Sequence, residues 1–304
     1  MKKYFKYVVF FPIIVLTLIF SCDKKDKNAP KSDSILEGKT SILVDETLLP
    51  IMEDQVAVFQ SQYDAEITLL PESEKEAIIN FTKDKAGIIV LSRELNKNEI
   101  AIFKQKKIKP RTTPFAIDAI TFIRNNKSND TMIDVKEVTD FLKGKKNKIK
   151  GLVFDNPNSS TASYLCKQAA IESLPKENVF SFKTNTEVIK YVSENDGMIG
   201  VVGINWISQP KPNMQQYIDK INVLSVKASG NKYIKPTPET ISSREYPLAR
   251  VLYIINCQGY EGLGMGFASF IAGEIGQRIL LQSGLAPMRE PSRNIRIRNK
   301  IEKK

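Results

Sequence analysis

The sequence of 304 residues contains no histidine and only three cysteines. Without histidine, Ser-His-Asp and Cys-His catalytic machinery is excluded, and the commonest zinc ligand is missing. Cys22, Cys166 and Cys257 are too few and too widely spaced for a zinc site or a disulfide framework. We therefore expect a protein that is not an enzyme and holds no metal or cofactor. Cys166 and Cys257 are expected to be buried free thiols, with a disulfide between them as the alternative.

Aromatic residues are absent from the densest basic segment, which contains Lys143, Lys145, Lys146, Lys148 and Lys150. Recognition of single-stranded nucleic acid usually stacks bases on aromatic side chains between the positive charges. We therefore interpret this segment as a solvated loop and expect no nucleic-acid partner, although the net charge is +11. The apolar content of 42% and charged content of 26% are those of a globular protein, neither disordered nor multispanning.

The N-terminus has the pattern of an exported lipoprotein. Residues 1–6 are basic, residues 8–20 form an apolar run that is short for a transmembrane helix, and Ser21-Cys22 follows. Residues 19–22 resemble a bacterial lipobox, so we expect a signal peptide over residues 1–21 and lipidation of Cys22. Residues 22–38 are then a polar tether to the membrane. The alternative is an uncleaved anchor helix, which leaves the body on the same side of the membrane.

From Ser41 onward, short β-branched runs alternate with helical periodicity, which predicts an α/β fold with largely parallel strands. The predicted strands are 41–44, 66–70, 87–91, 115–123, 151–154, 179–182, 198–202 and 248–256. The predicted helices are 48–59, 74–82, 96–106, 135–142, 159–173, 186–193 and 260–283. The segment 208–247 is predicted to be irregular. In such sheets, ligands bind beyond the carboxyl ends of the strands, where helices begin.

Two strand-to-helix junctions offer donors for an anion. In the first, Thr47 follows Asp45 and Glu46 at the start of a helix, where backbone N–H groups are free. The alternative interpretation is simple capping by Asp45 or Thr47. In the second, Ser92 supplies a hydroxyl and Arg93 a fork of N–H donors at the end of a strand. The alternative there is an ordinary surface arginine.

A third junction carries three hydroxyl side chains in succession, Ser159, Ser160 and Thr161, at the start of a helix. One serine would suffice as a cap, so the triplet favours a ligand site, with capping as the alternative. Trp206, the single tryptophan, is expected to have a packing role.

The order of these segments resembles the phosphate-binding proteins of the high-affinity phosphate ABC transporter, within the type 2 periplasmic binding fold. The matching pieces span about residues 40–290. They are TLLP, LSREL with Glu99 four residues later, FAIDAITFIRN, NPNSST, NTEVIKYVSENDGMIGVVG, YPLARVLYIIN and FASFIAGEIGQRILLQSGLAPMR.

The resemblance implies a ligand set drawn from all three junctions. It consists of Thr47, Leu48, Ser92, Arg93, Ser159, Ser160 and Thr161. Where the family has small residues in the first loop, this chain has Asp45 and Glu46. Where the family has an arginine before the triplet, it has Asp155. These acidic residues leave three alternatives. Arg93 supplies the cation, the acids point away from the ligand as caps, or the ligand is not phosphate.

Two α/β series joined by two long strands, near residues 115–124 and 248–256, predict two lobes with parallel or mixed sheets and crossing connections, with lobe 1 formed by residues 39–120 and 248–304 and lobe 2 by residues 121–247. The expected function is capture of phosphate, or a related oxyanion, between the lobes for an ABC permease. We expect a monomeric lipoprotein in the cell envelope, facing the periplasm or the cell surface. A binding or sensory lipoprotein of the same fold for another small ligand is the alternative. An enzyme using Asp45 and Glu46 is disfavoured because nothing places an acid and a base around a reacting bond.

Overall fold

A computed structural model describes residues 34–292. The strands are β1 Gly38–Asp45, β2 Ala65–Glu72, β3 Ile88–Leu91, β4 Arg111–Asn125, β5 Met132–Ile133, β6 Gly151–Phe154, β7 Val179–Ser181, β8 Met198–Gly203, β9 Ile221–Val223, β10 Ser225–Lys227, β11 Tyr233–Ile234, β12 Ala249–Asn256 and β13 Ala286–Pro287. The helices are α1 Leu49–Gln62, α2 Glu74–Thr82, α3 Lys97–Gln105, α4 Val135–Leu142, α5 Ser160–Ala169, α6 Asn185–Glu194, α7 Asn205–Ser208, α8 Gln215–Ile218, α9 Pro238–Ser242, α10 Leu263–Ala272 and α11 Glu274–Gln282. Three short 3₁₀ turns cover Glu46–Leu48, Pro212–Met214 and Ser229–Asn231.

The predicted α/β class is confirmed. A ten-stranded sheet runs in the order β2-β1-β3-β12-β4-β8-β6-β7, with β9 and β13 also paired to β4. A second sheet has the order β11-β10-β5. Strands β3 and β6 are buried along their whole lengths because helices cover both faces of the sheet there, and both read as unbroken apolar runs.

The long strand β4 joins the two halves of the large sheet. Its first part, residues 111–119, pairs with β12, and its last part, residues 120–125, pairs with β8 and β9. Strands β1 and β3 run parallel to β4, because β12 is antiparallel to both β3 and β4. Strands β6 and β8 run the opposite way. The carboxyl ends of both halves therefore meet near the middle of β4, where Gly203 at the end of β8 pairs with Ile120.

Most predicted elements lie within a few residues of their observed positions. The exception is the segment 208–247, which contains short helices and the strands β9, β10 and β11. Its pieces of two to five residues are too short to show periodicity in the sequence. The predicted helix 260–283 is two helices, which meet at Gly273.

Three hydrophobic clusters fill the spaces between the sheet and its helices. The largest runs through both halves of the sheet and includes the ring contacts of Phe59 with Phe267 and Phe270. Within residues 34–292, no helix combines the length and the apolar character that crossing a bilayer requires.

Candidate functional site

A buried ion pair lies at the middle of β4. Arg250 on β12 is opposite Asp118 on β4 in the strand register. The guanidinium donates from Nε and Nη2 to Asp118 Oδ2, at 3.2 and 2.8 Å. Arg250 is 5% exposed and Asp118 is fully buried. Because an unpaired charge is costly at this depth, the pair fixes the orientation of the guanidinium.

The remaining nitrogen of Arg250 points at two of the predicted hydroxyls. Nη1 donates to Ser160 Oγ at 2.9 Å and to Ser92 Oγ at 3.2 Å. Ser92 follows β3 and Ser160 is the first residue of α5, so one cation links the carboxyl ends of the two halves of the sheet. This group of residues, Arg250, Ser92, Ser160 and Thr47, is called the hydroxyl–arginine cluster below. Thr47 joins it because Ser160 Oγ and Thr47 Oγ1 lie 3.5 Å apart.

Asp155 accepts hydrogen bonds from the other hydroxyls of the third junction. Its Oδ1 accepts from Ser159 Oγ at 2.6 Å and from Thr161 Oγ1 at 3.0 Å. Its Oδ2 accepts from Asn185 Nδ2 at 3.0 Å and, at 3.5 Å, from Thr47 Oγ1. Asp155 therefore points into the group and does not turn away as a cap. Ser159 and Thr161, both expected to bind a ligand, are committed to this carboxylate.

The backbone of Thr47 makes three hydrogen bonds to side chains. Its carbonyl accepts from Asn205 Nδ2 at 3.0 Å and from Trp206 Nε1 at 2.8 Å. Its N–H donates to Asp45 Oδ1 at 3.2 Å, so Asp45 caps the turn as the alternative interpretation had it. Gly203 leaves room for this arrangement, since a Cβ there would lie 2.5 Å from Asn205 Oδ1. Trp206 is thus tied to the site, in addition to packing against its neighbours.

Two predicted ligand residues lie apart from the cluster. The Leu48 side chain is fully buried in the hydrophobic core, so only its backbone could serve a ligand. Arg93 donates from Nε to Glu74 at 3.0 Å and from Nη1 and Nη2 to Glu99 at 2.9 Å. Its charge is therefore already balanced by two carboxylates. The cation at the cluster is Arg250, whereas the sequence pointed to Arg93.

The acidic residues of the first junction are hard to ionise. Burial and the negative charge of Glu74 raise the pKa of Asp45 to about 7, against smaller opposing effects of Arg250 and Ser160. Burial and the charges of Asp155 and Asp45 raise the pKa of Glu46 to about 7. Near neutral pH, both groups therefore carry a proton part of the time.

The two acids deeper in the site are shifted in the same direction. Burial raises the pKa of Asp118, and Arg250 opposes this effect. Burial also raises the pKa of Asp155 despite its hydrogen bonds from Ser159, Thr161 and Asn185. Because Asp118 balances Arg250, an entering anion meets less electrostatic repulsion when Asp155 is protonated.

The sequence interpretation missed Arg250, Asp118, Asn185 and Asn205. A usable signal was present: Arg250 is a lone cation in the apolar run LARVLYIIN, and Asp118 is a lone acid in FAIDAITFI. Buried charges occur almost only in pairs. Two lone charges of opposite sign in neighbouring buried strands therefore indicate partners.

Three further sequence predictions concern the cysteines, the lysine-rich loop and the N-terminal segment. Cys166 and Cys257 are buried free thiols, as expected. The lysine-rich loop is largely exposed, with Lys145 paired to Asp140 at 2.8 Å. Cys22, the signal peptide 1–21 and most of the tether lie outside the described residues 34–292.

The mixed α/β sheet, with the carboxyl ends of its two halves facing each other, is the fold of the type 2 periplasmic binding proteins. The family model described as the PBP superfamily domain matches residues 29–274. The chain belongs to this family.

Two relatives are similar to this chain in sequence. The phosphate-binding protein PstS of Borreliella burgdorferi is 24% identical over 302 residues, covering 92% of this chain and 97% of the relative. The phosphate-binding protein PstS of Staphylococcus epidermidis is 28% identical over 179 residues, or 54% of this chain and 51% of the relative.

Solved structures show the same fold. A putative phosphate ABC transporter substrate-binding protein from Clostridium perfringens, solved with bound phosphate, has a TM-score of 0.67 at 20% identity and covers 83% of this chain and 100% of its own. An ABC-type phosphate transport receptor from Vibrio cholerae has a TM-score of 0.63 at 15% identity, with coverages of 82% and 100%. PstS from Borrelia burgdorferi has a TM-score of 0.53 at 22% identity, with coverages of 84% and 100%.

Proposed function

We propose that this chain is an extracytoplasmic solute-binding protein that captures phosphate, or a related oxyanion, for an ABC transporter. The observation that carries the proposal is the hydroxyl–arginine cluster, in which the guanidinium of Arg250 lies between the hydroxyls of Ser92 and Ser160. The relatives named as phosphate-binding proteins support the same function. A sensory lipoprotein for a different ligand gains no support from the site.

The cluster has the donors that an oxyanion needs. Arg250 Nη1, the Thr47, Ser92 and Ser160 hydroxyls and the free N–H groups at the start of α5 converge near the middle of β4. Charge-assisted hydrogen bonds of this kind are about twice as strong as neutral ones. Arg250 is therefore the proposed cation for the oxyanion, the role for which the sequence predicted Arg93.

One acceptor at the site suits a ligand that carries a proton. Asp45 Oδ2 is buried and has no hydrogen-bond partner among the described residues. Asp45 lies close to Ser160 and Arg250, which both act on its pKa. When Asp45 is ionised, Oδ2 can accept a hydrogen bond from a P–OH group. Sulfate has no such hydrogen at neutral pH, so the site is expected to favour phosphate.

We also propose the two lobes named above, residues 39–120 with 248–304 and residues 121–247. The change of pairing partner along β4, from β12 to β8 near Ile120, supports the boundary. Ligand capture then closes the lobes about β4 and β12 by a hinge motion. Arg250, with Ser92 in lobe 1 and Ser160 in lobe 2, is placed to stabilise the closed form.

The cellular setting is part of the proposal. Cys22 is lipidated and holds a monomeric chain to the membrane, where the closed form meets an ABC permease. The proposed role is binding without catalysis, which the relatives named as phosphate-binding proteins support. Residues 1–21 act as the signal peptide.

Calorimetric titration of the folded chain with phosphate tests the function, with sulfate as the competing anion. We expect heat of binding for phosphate and a weaker response to sulfate. Because Trp206 is the single tryptophan and donates to the Thr47 carbonyl, its fluorescence should change in the same titration. No heat and no fluorescence change at millimolar phosphate would rule out phosphate as the ligand.

A further inference from the structure

The buried acids around the hydroxyl–arginine cluster outnumber its cation. Asp45, Asp118 and Asp155 are fully buried. Within the described residues 34–292, Arg250 is the cation that donates to the cluster, and its charge is already balanced by Asp118. An oxyanion that enters therefore adds negative charge to a buried region with no spare positive charge. This addition is costly unless a proton enters with the anion.

Asp155 has the hydrogen bonds of an ionised carboxylate. It accepts from Ser159, Thr161 and Asn185 at 2.6, 3.0 and 3.0 Å. The two hydroxyls share Oδ1, whereas Oδ2 accepts from the Asn185 amide nitrogen, which can only donate. A proton on Oδ2 therefore needs a different neighbour as its acceptor.

The Thr47 hydroxyl lies between Asp155 and the rest of the cluster. Its Oγ1 donates to Asp155 Oδ2 at 3.5 Å and accepts from Ser160 Oγ at 3.5 Å. Both contacts are long for hydroxyl groups, so they hold the Thr47 hydrogen weakly. A hydroxyl has a single hydrogen, and the one on Thr47 points at Asp155 while Asp155 is ionised. It is then not available to an oxyanion.

A proton on Asp155 Oδ2 reverses this hydrogen bond. The new O–H group donates to Thr47 Oγ1, and the Thr47 hydrogen is free to turn toward a ligand at Ser160 and Arg250. The ligand acts in the same direction, because its negative charge raises the pKa of Asp155, which burial already raises. Proton and oxyanion therefore favour each other's binding.

The other charged groups near Asp155 come from several elements. They are Asp45 and Glu46 of the first junction, Glu74 of α2, Asp118 of β4, Glu187 of α6 and Arg250 of β12. All except Arg250 are acids, and an ionised acid nearby makes it easier for Asp155 to hold a proton.

We propose that Asp155 takes up a proton from the solvent when the oxyanion binds, and that this proton turns the Thr47 hydroxyl from Asp155 to the ligand. The inference rests on the proposed function, since it concerns the same site. Asp155 is then a positioning residue, which acts on the ligand through Thr47. Because binding takes up a proton, the affinity for phosphate falls as pH rises.

Calorimetry of phosphate binding in buffers of different ionisation enthalpy counts the protons taken up. Asp155→Asn has an amide nitrogen in place of the protonated oxygen, so it should bind phosphate with about 0.5–1 proton fewer than the unchanged chain. Across neutral pH, the affinity of the unchanged chain should fall by up to about tenfold per pH unit relative to this variant. Asp219→Asn, at an exposed acid, should match the unchanged chain in both measurements.

A second measurement needs no variant. The infrared difference spectrum of the unchanged chain should gain the C=O band of a protonated carboxyl group when phosphate is added. The same band should be missing from Asp155→Asn.

The outcomes separate this inference from the proposed function. If phosphate binds without the infrared band, or if Asp155→Asn takes up as many protons as the unchanged chain, the coupling to Asp155 is wrong and the phosphate function stands. Loss of the proton uptake in Glu46→Gln instead of Asp155→Asn would contradict the coupling in the same way. If phosphate does not bind to the folded chain at all, both proposals fail.

Discussion

At the scale of single residues, the site depends on the pairing of Arg250 with Asp118 across two buried strands. The pair does two things: it balances two charges inside the protein, and it leaves Nη1 free for Ser92 and Ser160. Substitutions can separate these contributions, because charge balance affects folding and the free nitrogen affects ligand binding.

Replacing Arg250 alone should destabilise the fold. Arg250→Gln leaves Asp118 buried without a counter-charge, so we expect the free energy of unfolding to fall by about 3–5 kcal/mol. The double variant Arg250→Met with Asp118→Leu removes both charges and should recover most of this loss. Neither variant should bind phosphate measurably. Urea unfolding and calorimetry check the two effects, and phosphate binding by the double variant would exclude Arg250 from the site.

The raised pKa of Asp45 predicts how stability depends on pH. The folded protein holds this proton up to about pH 7, whereas the unfolded chain releases it near 3.8. The folded state therefore binds more protons between these values, and stability falls as pH rises through this range. Asp45→Asn, which keeps the Oδ1 acceptor for the Thr47 N–H, should remove the part of this slope that comes from Asp45 and leave the part from Glu46.

Urea midpoints at pH 5 and pH 8 measure the effect. The loss of stability between them should be smaller in Asp45→Asn by on the order of 2–4 kcal/mol. Asp219→Asn, at an exposed acid, should behave like the unchanged chain. An identical pH dependence in Asp45→Asn would show that Asp45 does not hold its proton in the folded state.

At the scale of elements, we propose different roles for adjacent serines at the start of α5, a structural role for Ser159 and a ligand-binding role for Ser160. Ser159 caps the helix by accepting from the Ala162 N–H at 3.3 Å. Ser160 has no capping role and faces Arg250. A run of three hydroxyls does not show which member points toward a ligand, so the sequence by itself favours ligand binding for the whole triplet.

Alanine substitutions should distinguish the two serines. Ser159→Ala should lower stability by about 1–2 kcal/mol, from the lost cap and the lost hydrogen bond to Asp155, whose Oδ1 keeps the bond from Thr161. Ser160→Ala should leave stability nearly unchanged and weaken phosphate binding about tenfold to hundredfold. Thermal unfolding and calorimetry on both variants give the comparison, and a reversed pattern would reverse the roles assigned here.

The element order was predictable because most strands and helices are long enough to show their periods. The small strands of the 208–247 segment were not, since a pair such as Tyr233–Ile234 has no period to read. The position of each junction was predictable from where the strands end. The direction of Arg93 was not, because it depends on Glu74 and Glu99, which belong to the separate helices α2 and α3.

At the scale of the whole molecule, the topology explains why the site lies where it does. Because β4 runs through both halves of the sheet and the halves run in opposite directions, the carboxyl ends of β1 and β3 face those of β6 and β8. Helix starts and hydroxyls from both halves converge there. Loops far apart in the sequence, at Thr47, Ser92 and Ser160, thereby form one site.

The central claim is that the hydroxyl–arginine cluster is the oxyanion site. A crystal structure of the chain grown with phosphate tests it most directly. We expect a tetrahedral ion within hydrogen-bonding distance of Arg250 Nη1, Ser160 Oγ and Thr47 Oγ1. An ion bound only elsewhere, such as at the lysine-rich loop of residues 143–150, with Arg250 still joined to Ser92 and Ser160, would contradict it.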